Sequence, residues 1–379
     1  MHCDALIVGG GPAGLAAAIA LRQKGVDVLV ADAQRPPIDK ACGEGLMPDA
    51  RQDLAALGIA THHGAPFEGI AFLAGRHQAA AYFERGSGIG IRRLQLHALL
   101  LERCQELGVR LVWGTRVHVT PHQPWSPHEP LSPHEPLSID GRSCTYRYAI
   151  GADGQSSRMR LAIGLGQGKI FSRRFGARCH YRVKPWSRMV EVYWGDLGQA
   201  YVTPVGEEEV CVATVARSPA VRMEAVLAGL PALREHLQGA TVLSTVRGAL
   251  TTTRKLRRVT AGNIALTGDA SGSADAITGE GIGLSFRHAL LLAEAIAVDN
   301  LYIYEAGHPV IQRMPHLMSR VMLRMDAWPR MRERVMRLLS GQPQLFAHLL
   351  ALHLGERSLG EFLLRDAPAM GLRLLNEGH

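Results

Sequence analysis

Cysteine is scarce in this chain, and none of it is arranged in pairs. Six cysteines, at positions 3, 42, 104, 144, 179 and 211, are scattered through 379 residues without a single Cys-x-x-Cys. That spacing suits a reduced, cytoplasmic setting rather than a disulfide framework. Long apolar runs are missing too: nothing reaches the roughly 18 residues of a membrane-spanning helix. Residues 5–21 have the apolarity of a secretory leader, but the acidic Asp4, the glycine run and the lack of a basic lead-in argue against one. Net charge is +8 and the sequence pI about 9.4, yet the basic residues form no compact block with aromatics. Nucleic acid is therefore not an expected partner. The positive excess suits a dinucleotide and an acidic substrate.

What is present is ordinary in bulk and specific in place. With 47% hydrophobic and 20% charged residues, the composition is that of a globular protein long enough for two or three cores. The chain is organised around Asp4 to Asp32. Ala5–Val8 reads as a buried strand, and Gly9-Gly-Gly11-Pro12-Ala13-Gly14 follows at once, with glycines at all three positions of G-x-G-x-x-G. The first glycine allows a tight turn, the second lets backbone approach a pyrophosphate, and the third lets helix pack on strand. Leu15–Lys24 has helical spacing, so its N-terminus points free N–H groups at phosphate. Val26–Ala31 is a second strand, and Asp32 at its end is placed to accept from a ribose diol.

Further on, Lys40-Ala-Cys-Gly-Glu-Gly-Leu-Met-Pro48 carries glycines at 43 and 45 where backbone must lie close to something flat. Arg93 opens a helix, and Val109–Val119 reads as one strand. Ser126-Pro-His-Glu-Pro-Leu131 is repeated as Ser132–Leu137, an exposed insertion without a closed metal-ligand set, so no metal is expected. Strands from Phe175 to Ala216, joined by short turns, predict an antiparallel sheet. From Tyr302 the chain reads as helices broken at Pro309, Pro315, Pro329, Gly341–Pro343 and Gly355.

Three separated stretches then carry a family resemblance. Gly9–Asp32, Gly151-Ala-Asp-Gly154 through Arg160, and Gly268-Asp-Ala-Ser-Gly272 through Thr278-Gly-Glu-Gly-Ile282 resemble, in order and separation, the para-hydroxybenzoate-hydroxylase-like FAD monooxygenases and the related geranylgeranyl reductases. The resemblance implies an α/β fold: a Rossmann-type FAD-binding domain (1–165 and 245–308), an interleaved antiparallel β-sheet substrate domain (166–244, joined by 66–90) and a helical C-terminal region (309–379), with 120–138 as an exposed insertion. It implies non-covalent FAD, with NAD(P)H docking transiently because no second glycine fingerprint exists. Its implied cofactor residues are Gly9, Gly11, Pro12, Ala13, Gly14, Asp32, Ala33, Cys42, Gly43, Arg93, Val117, Asp153, Gly154, Gly268, Asp269, Gly279, Glu280, Gly281 and Ile282. The helix opening at Thr278–Ile282 would aim backbone N–H groups at the pyrimidine edge of the flavin, where negative charge gathers on reduction.

Tyr193, Trp194, Tyr201, Thr203 and Pro204 are candidates for the substrate cavity, with Tyr201, Glu44 and Cys42 as candidate catalytic groups. Tyr201 is as readily a core tyrosine, Cys42 a packing thiol and Glu44 a loop carboxylate. The leading expectation is an NAD(P)H-dependent monooxygenase that hydroxylates an aromatic or polyketide-like hydrophobic substrate with O2, through a flavin C4a-hydroperoxide. The alternatives are a geranylgeranyl-reductase-like reducer of an isoprenoid or lipid double bond, and a flavin-binding relative without turnover. The Met-, Leu- and Arg-rich tail is expected to pack as core, cap the substrate channel, form a dimer, or rest peripherally on a membrane.

Overall fold

The computed structural model describes residues 1–118, 137–166 and 168–365. The repeated Ser-Pro-His-Glu-Pro insertion lies outside the described residues.

The first sheet is built on the strand His2–Val8, whose inner residues are fully buried. It pairs in parallel with Val28–Asp32 on one side and Arg142–Gly151 on the other. Arg110–Trp113 and Ile264–Leu266 extend the sheet outward, again in parallel. Strand order therefore reverses at His2–Val8, which opens a crevice beyond the carboxyl ends of this strand and Arg142–Gly151. In doubly wound sheets that crevice is the ligand site. The helix Pro12–Gln23 and the long apolar helix Gly281–Ala297 cover one face together, each burying a run of Ala, Leu and Ile. The expected single strand over 109–119 is two, Arg110–Trp113 and Val117–His118. Gly114, at φ +72°, turns the chain between them.

The second sheet is antiparallel except at one junction. Its order runs from Lys169–Arg182 through Glu209–Ala216, Gly198–Gly206 and Val190–Trp194 to Gly69–Ala74 and His77–Tyr82. The parallel junction joins Val190–Trp194 to Gly69–Ala74, so residues distant in sequence complete one layer.

The helices after residue 300 lie against this second sheet, and their core includes Met325, Met336, Leu339, Phe346 and Leu350. Here the proline reading needs correction. Leu301–Ala327 is one helix that passes through both Pro309 and Pro315. A proline removes one N–H donor and crowds the preceding turn, but packing along a long helix outweighs that local cost. The chain does break at Trp328, just before Pro329, and at Gln342, just before Pro343. There each proline starts the next helix, where its missing donor matters least.

Candidate functional site

The three glycine-bearing stretches meet at the crevice, as clearances at single glycines show. Gly9 sits at φ +116°, and a Cβ there would lie 2.4 Å from the Ala152 carbonyl oxygen. A Cβ on Gly14 would lie 1.8 Å from the Gly9 carbonyl oxygen, and one on Gly268 would lie 2.5 Å from Ala13 Cβ. The first glycine turn with its helix, the 151–154 turn and the 268–272 turn are thus closely packed together. Gly11, Gly43, Gly279 and Gly281 behave oppositely: a Cβ on any of them meets nothing within 4 Å. Tight glycines pack the fold, while the open ones border free space.

Polar groups around that space are held by the same segments. Asp32 accepts from Gly10 N at 2.6 Å and from Gln34 N at 2.7 Å, and Ala33 is exposed beside it. Asp153 Oδ2 accepts from Arg158 N and Met159 N at 2.7 and 3.1 Å, whereas its buried Oδ1 has no partner. Arg160 spans two of the stretches, donating to Gln155 O and Ala270 O at 2.7 and 3.0 Å. Asp269 is open to solvent yet surrounded by protein; burial raises its pKa, opposed by Lys40 and Arg93. Val117 is half-buried and pairs with Ile139 on a side ladder. Sequence reasoning gave His97 no role. It is buried, and burial lowers its pKa; as the neutral imidazole it donates from Nε2 to Gly10 O at 2.9 Å, steadying the glycine turn.

Cys42 and Glu44 lie on the loop entering this space. Burial pushes the Cys42 thiol up, against Arg93, so it stays protonated, and its sulfur accepts from Glu44 N at 3.3 Å. Glu44 is buried rather than on the loop surface. One oxygen accepts from Arg93 N at 2.9 Å and the other lies 2.7 Å from His180 Nε2, with Arg178 alongside. The carboxylate is spent on holding the loop, the Arg93 helix start and the second sheet together. Its φ of +61° records how tightly the loop turns there. Cys211 Sγ joins Glu44 and His180 in a cluster whose donor atoms lie within 4.8 Å of one another.

Adjoining the open glycines is a cavity of about 440 Å³. Gly43, Gly45, Thr278 and Gly279 form its inner end, Val190, Val192, Tyr201 and Thr203 one wall, and Met318, Met322, Met325 and Leu339 the wall opposite. Val321 and Leu363 line it and are 38% and 55% exposed, so it opens between the C-terminal helices. Strand alternation decides which candidate substrate residues reach it. Tyr201 and Thr203 do. Tyr193 and Pro204 project from the other face: Tyr193 donates to Glu191 Oε2 at 2.6 Å, and the Pro204 carbonyl closes on Gly90. Trp194 shares the Val192 side but packs edge-on against Phe72, outside the cavity lining. Tyr201 gives its hydroxyl proton to Ile277 O at 2.8 Å, and burial drives its pKa up, so it fixes the wall rather than ionising.

A doubly wound sheet, a glycine cradle at its switch point and an antiparallel sheet over an apolar cavity define a flavoprotein of the FAD-dependent oxidoreductase class. The FAD binding domain family model matches residues 2–300, and the chain belongs to that family. It is 25% identical over 343 residues to the menaquinone reductase of Mycolicibacterium smegmatis, covering 82% of this chain and 80% of that one. Its fold matches the p-nitrophenol 4-monooxygenase of Pseudomonas putida, with a TM-score of 0.77, 18% identity, and 93% and 97% of the two chains covered. It also matches a geranylgeranyl bacteriochlorophyll reductase-like protein of Thermoplasma acidophilum, with a TM-score of 0.75, 18% identity, and 95% and 98% covered. The cofactor is FAD, and NAD(P)H is the reductant typical of the family. No described helix is long and apolar enough to cross a membrane.

Proposed function

We propose that this FAD-dependent oxidoreductase reduces a carbon–carbon double bond in a prenyl or similar lipid chain, with hydride reaching the flavin from NAD(P)H. The observation carrying the reading is the cavity. Its lining is almost wholly apolar, aliphatic and thioether side chains with the rings of Phe67, Phe72, Phe346 and Phe362, and its polar groups are few: the Tyr201 and Thr278 hydroxyls are already bonded to protein, leaving Thr203 and His353. Long, featureless hydrocarbon suits such a surface, since burying apolar area supplies the binding energy and a flexible thioether lining adapts to an irregular chain. A phenol would bring a hydroxyl into it, and a polyketide several, at a desolvation cost. The similarity to a menaquinone reductase over most of both chains supports the same choice over hydroxylation with O2.

In this reading Gly11, Pro12, Ala13 and Gly14 hold the pyrophosphate on the helix start, Asp32 the ribose, and Asp269 and Arg93 the ribitol region. Asp153 and Gly154 border the phosphate end. Gly43 and the 279–282 backbone face the ring, which would form the inner end of the cavity. The bound FAD supplies hydride transfer; the protein orients it and excludes water.

The test is anaerobic turnover with NADPH and a prenylated quinone, with products weighed by mass spectrometry. The reading expects a gain of two hydrogens in the prenyl chain without oxygen, kept after the product is reoxidised to the quinone. A product that has gained an oxygen atom, formed only in air, would replace it with the monooxygenase reading.

A further inference from the structure

Near the inner end of the cavity lies one polar pair whose side chains the proposed cofactor cradle, which uses Glu280 only through its backbone, does not employ. His353, from the helix Pro343–His353, lines the cavity, and its side chain is 10% exposed. Its Nε2 lies 3.3 Å from Glu280 Oε2, and Glu280, just ahead of the helix Gly281–Ala297, is 7% exposed. The contact is out of hydrogen-bond alignment, so Glu280 Oε2 has no hydrogen-bond partner, nor has His353 Nδ1. Two buried polar atoms left unpaired in an apolar setting are costly to stability, and such a cost is retained where the groups are used.

We infer that Glu280 and His353 form a proton relay in which His353 delivers a proton to the substrate at the inner end of the cavity and Glu280 replenishes it. The inference rests on the double-bond reduction proposed above. That reaction adds a hydride, taken from reduced FAD, to one alkene carbon and a proton to the other. His353 Nε2, the ring nitrogen that protein does not close off, takes the carboxyl proton of Glu280. The Nε2–H bond then breaks as the new C–H bond forms, leaving a neutral imidazole and a Glu280 carboxylate. Solvent reprotonates the carboxylate before the next turnover. His353 is the catalytic residue, and Glu280 acts through it.

The protonation states support the relay. Burial raises the Glu280 pKa to about 8, against Arg287, with Asp49 adding to the rise. Burial also lowers His353 to about 4, so near neutral pH the carboxyl is protonated and the imidazole neutral. The charged groups around the pair are Arg287, from the same helix, and Asp49, from the helix Pro48–Ala56. Arg287 is itself tied to Asp49 and, at 3.1 Å, to Asp53. One arginine faces two aspartates there, so the cluster offers the pair no net positive counter-charge.

Because the donor is the protonated carboxyl, activity should fall as pH rises through about 8. Substrate-driven reoxidation of reduced enzyme, measured anaerobically per bound flavin, should drop about 100-fold in E280Q and in H353N. The alkaline limb of the profile and the solvent deuterium effect should vanish in E280Q. Independently of turnover, infrared titration of the cofactor-free protein should show a protonated-carboxyl band at pH 7 that is lost around pH 8 and absent from E280Q. Wild-type reoxidation rates in both variants, with flavin bound and the wild-type enzyme active, would overturn the relay alone. Absence of the band at pH 7 would overturn it as well. A wild-type enzyme that saturates no prenyl double bond would overturn the proposed function and the relay with it.

Discussion

At the scale of single residues, the cofactor end of this protein is a matter of which glycines are crowded. Gly14 cannot take a side chain without striking the Gly9 carbonyl, whereas Gly11 has ordinary backbone geometry, φ −74°, and open space beyond it. The two positions therefore separate folding from binding. Gly11→Phe should leave the apparent melting temperature of the cofactor-free protein unchanged and abolish flavin retention, read from visible absorbance after gel filtration. Gly14→Val should lower the yield of folded protein itself. Retained flavin in Gly11→Phe would show that the cradle lies elsewhere. The glycine motif was legible in the sequence because each position has its own steric reason. The uses of Glu44 and His353 were not, because they depend on long-range neighbours: His180 lies 136 residues from Glu44, and Glu280 comes to His353 from another helix. Periodicity in a single strand shows that Tyr193 and Tyr201 are buried but does not say against which layer.

At the scale of elements, the C-terminal helices are fastened to the second sheet by a buried polar knot. Arg174 and Asp326 are each 2% exposed at the side chain and lie 3.4 Å apart, and Gln199 bonds to both. Breaking such a pair strands a charge in the interior at a cost of about 3–5 kcal/mol. Asp326→Ala should accordingly lower the thermal midpoint by several degrees in calorimetry. It should also loosen the helix Leu301–Ala327, seen as faster amide exchange around Met318–Met325. An unchanged midpoint would mean that the helices are held by apolar packing alone. The course of this helix was misread from sequence at Pro309 and Pro315, where the proline rule is local and the packing that overrides it is not. The prolines at 329 and 343 were read correctly as breaks, because there the chain changes direction and proline is well placed to begin a new helix.

At the scale of the whole molecule, the second sheet and the C-terminal helices enclose the Met- and Leu-lined cavity, which reaches two of the open glycines, Gly43 and Gly279. In the proposed function the flavin ring lies there, so that cofactor and substrate meet in one space. The fold class and the cofactor followed from three short motifs, since nucleotide binding constrains backbone geometry tightly. The substrate did not, since hydrophobic selectivity is spread over many interchangeable side chains from segments some 300 residues apart, Met47 to Leu349 among them.

The claim on which the account stands is that flavin ring and lipid chain share this space. Titrating the oxidised FAD-bound enzyme with a redox-inert, saturated prenyl analogue while recording the flavin absorption spectrum tests it most directly. The account predicts a saturable shift of the flavin bands that disappears when Met322→Glu places a charge in the cavity wall. Tight binding of the analogue with no change in the flavin spectrum would contradict it.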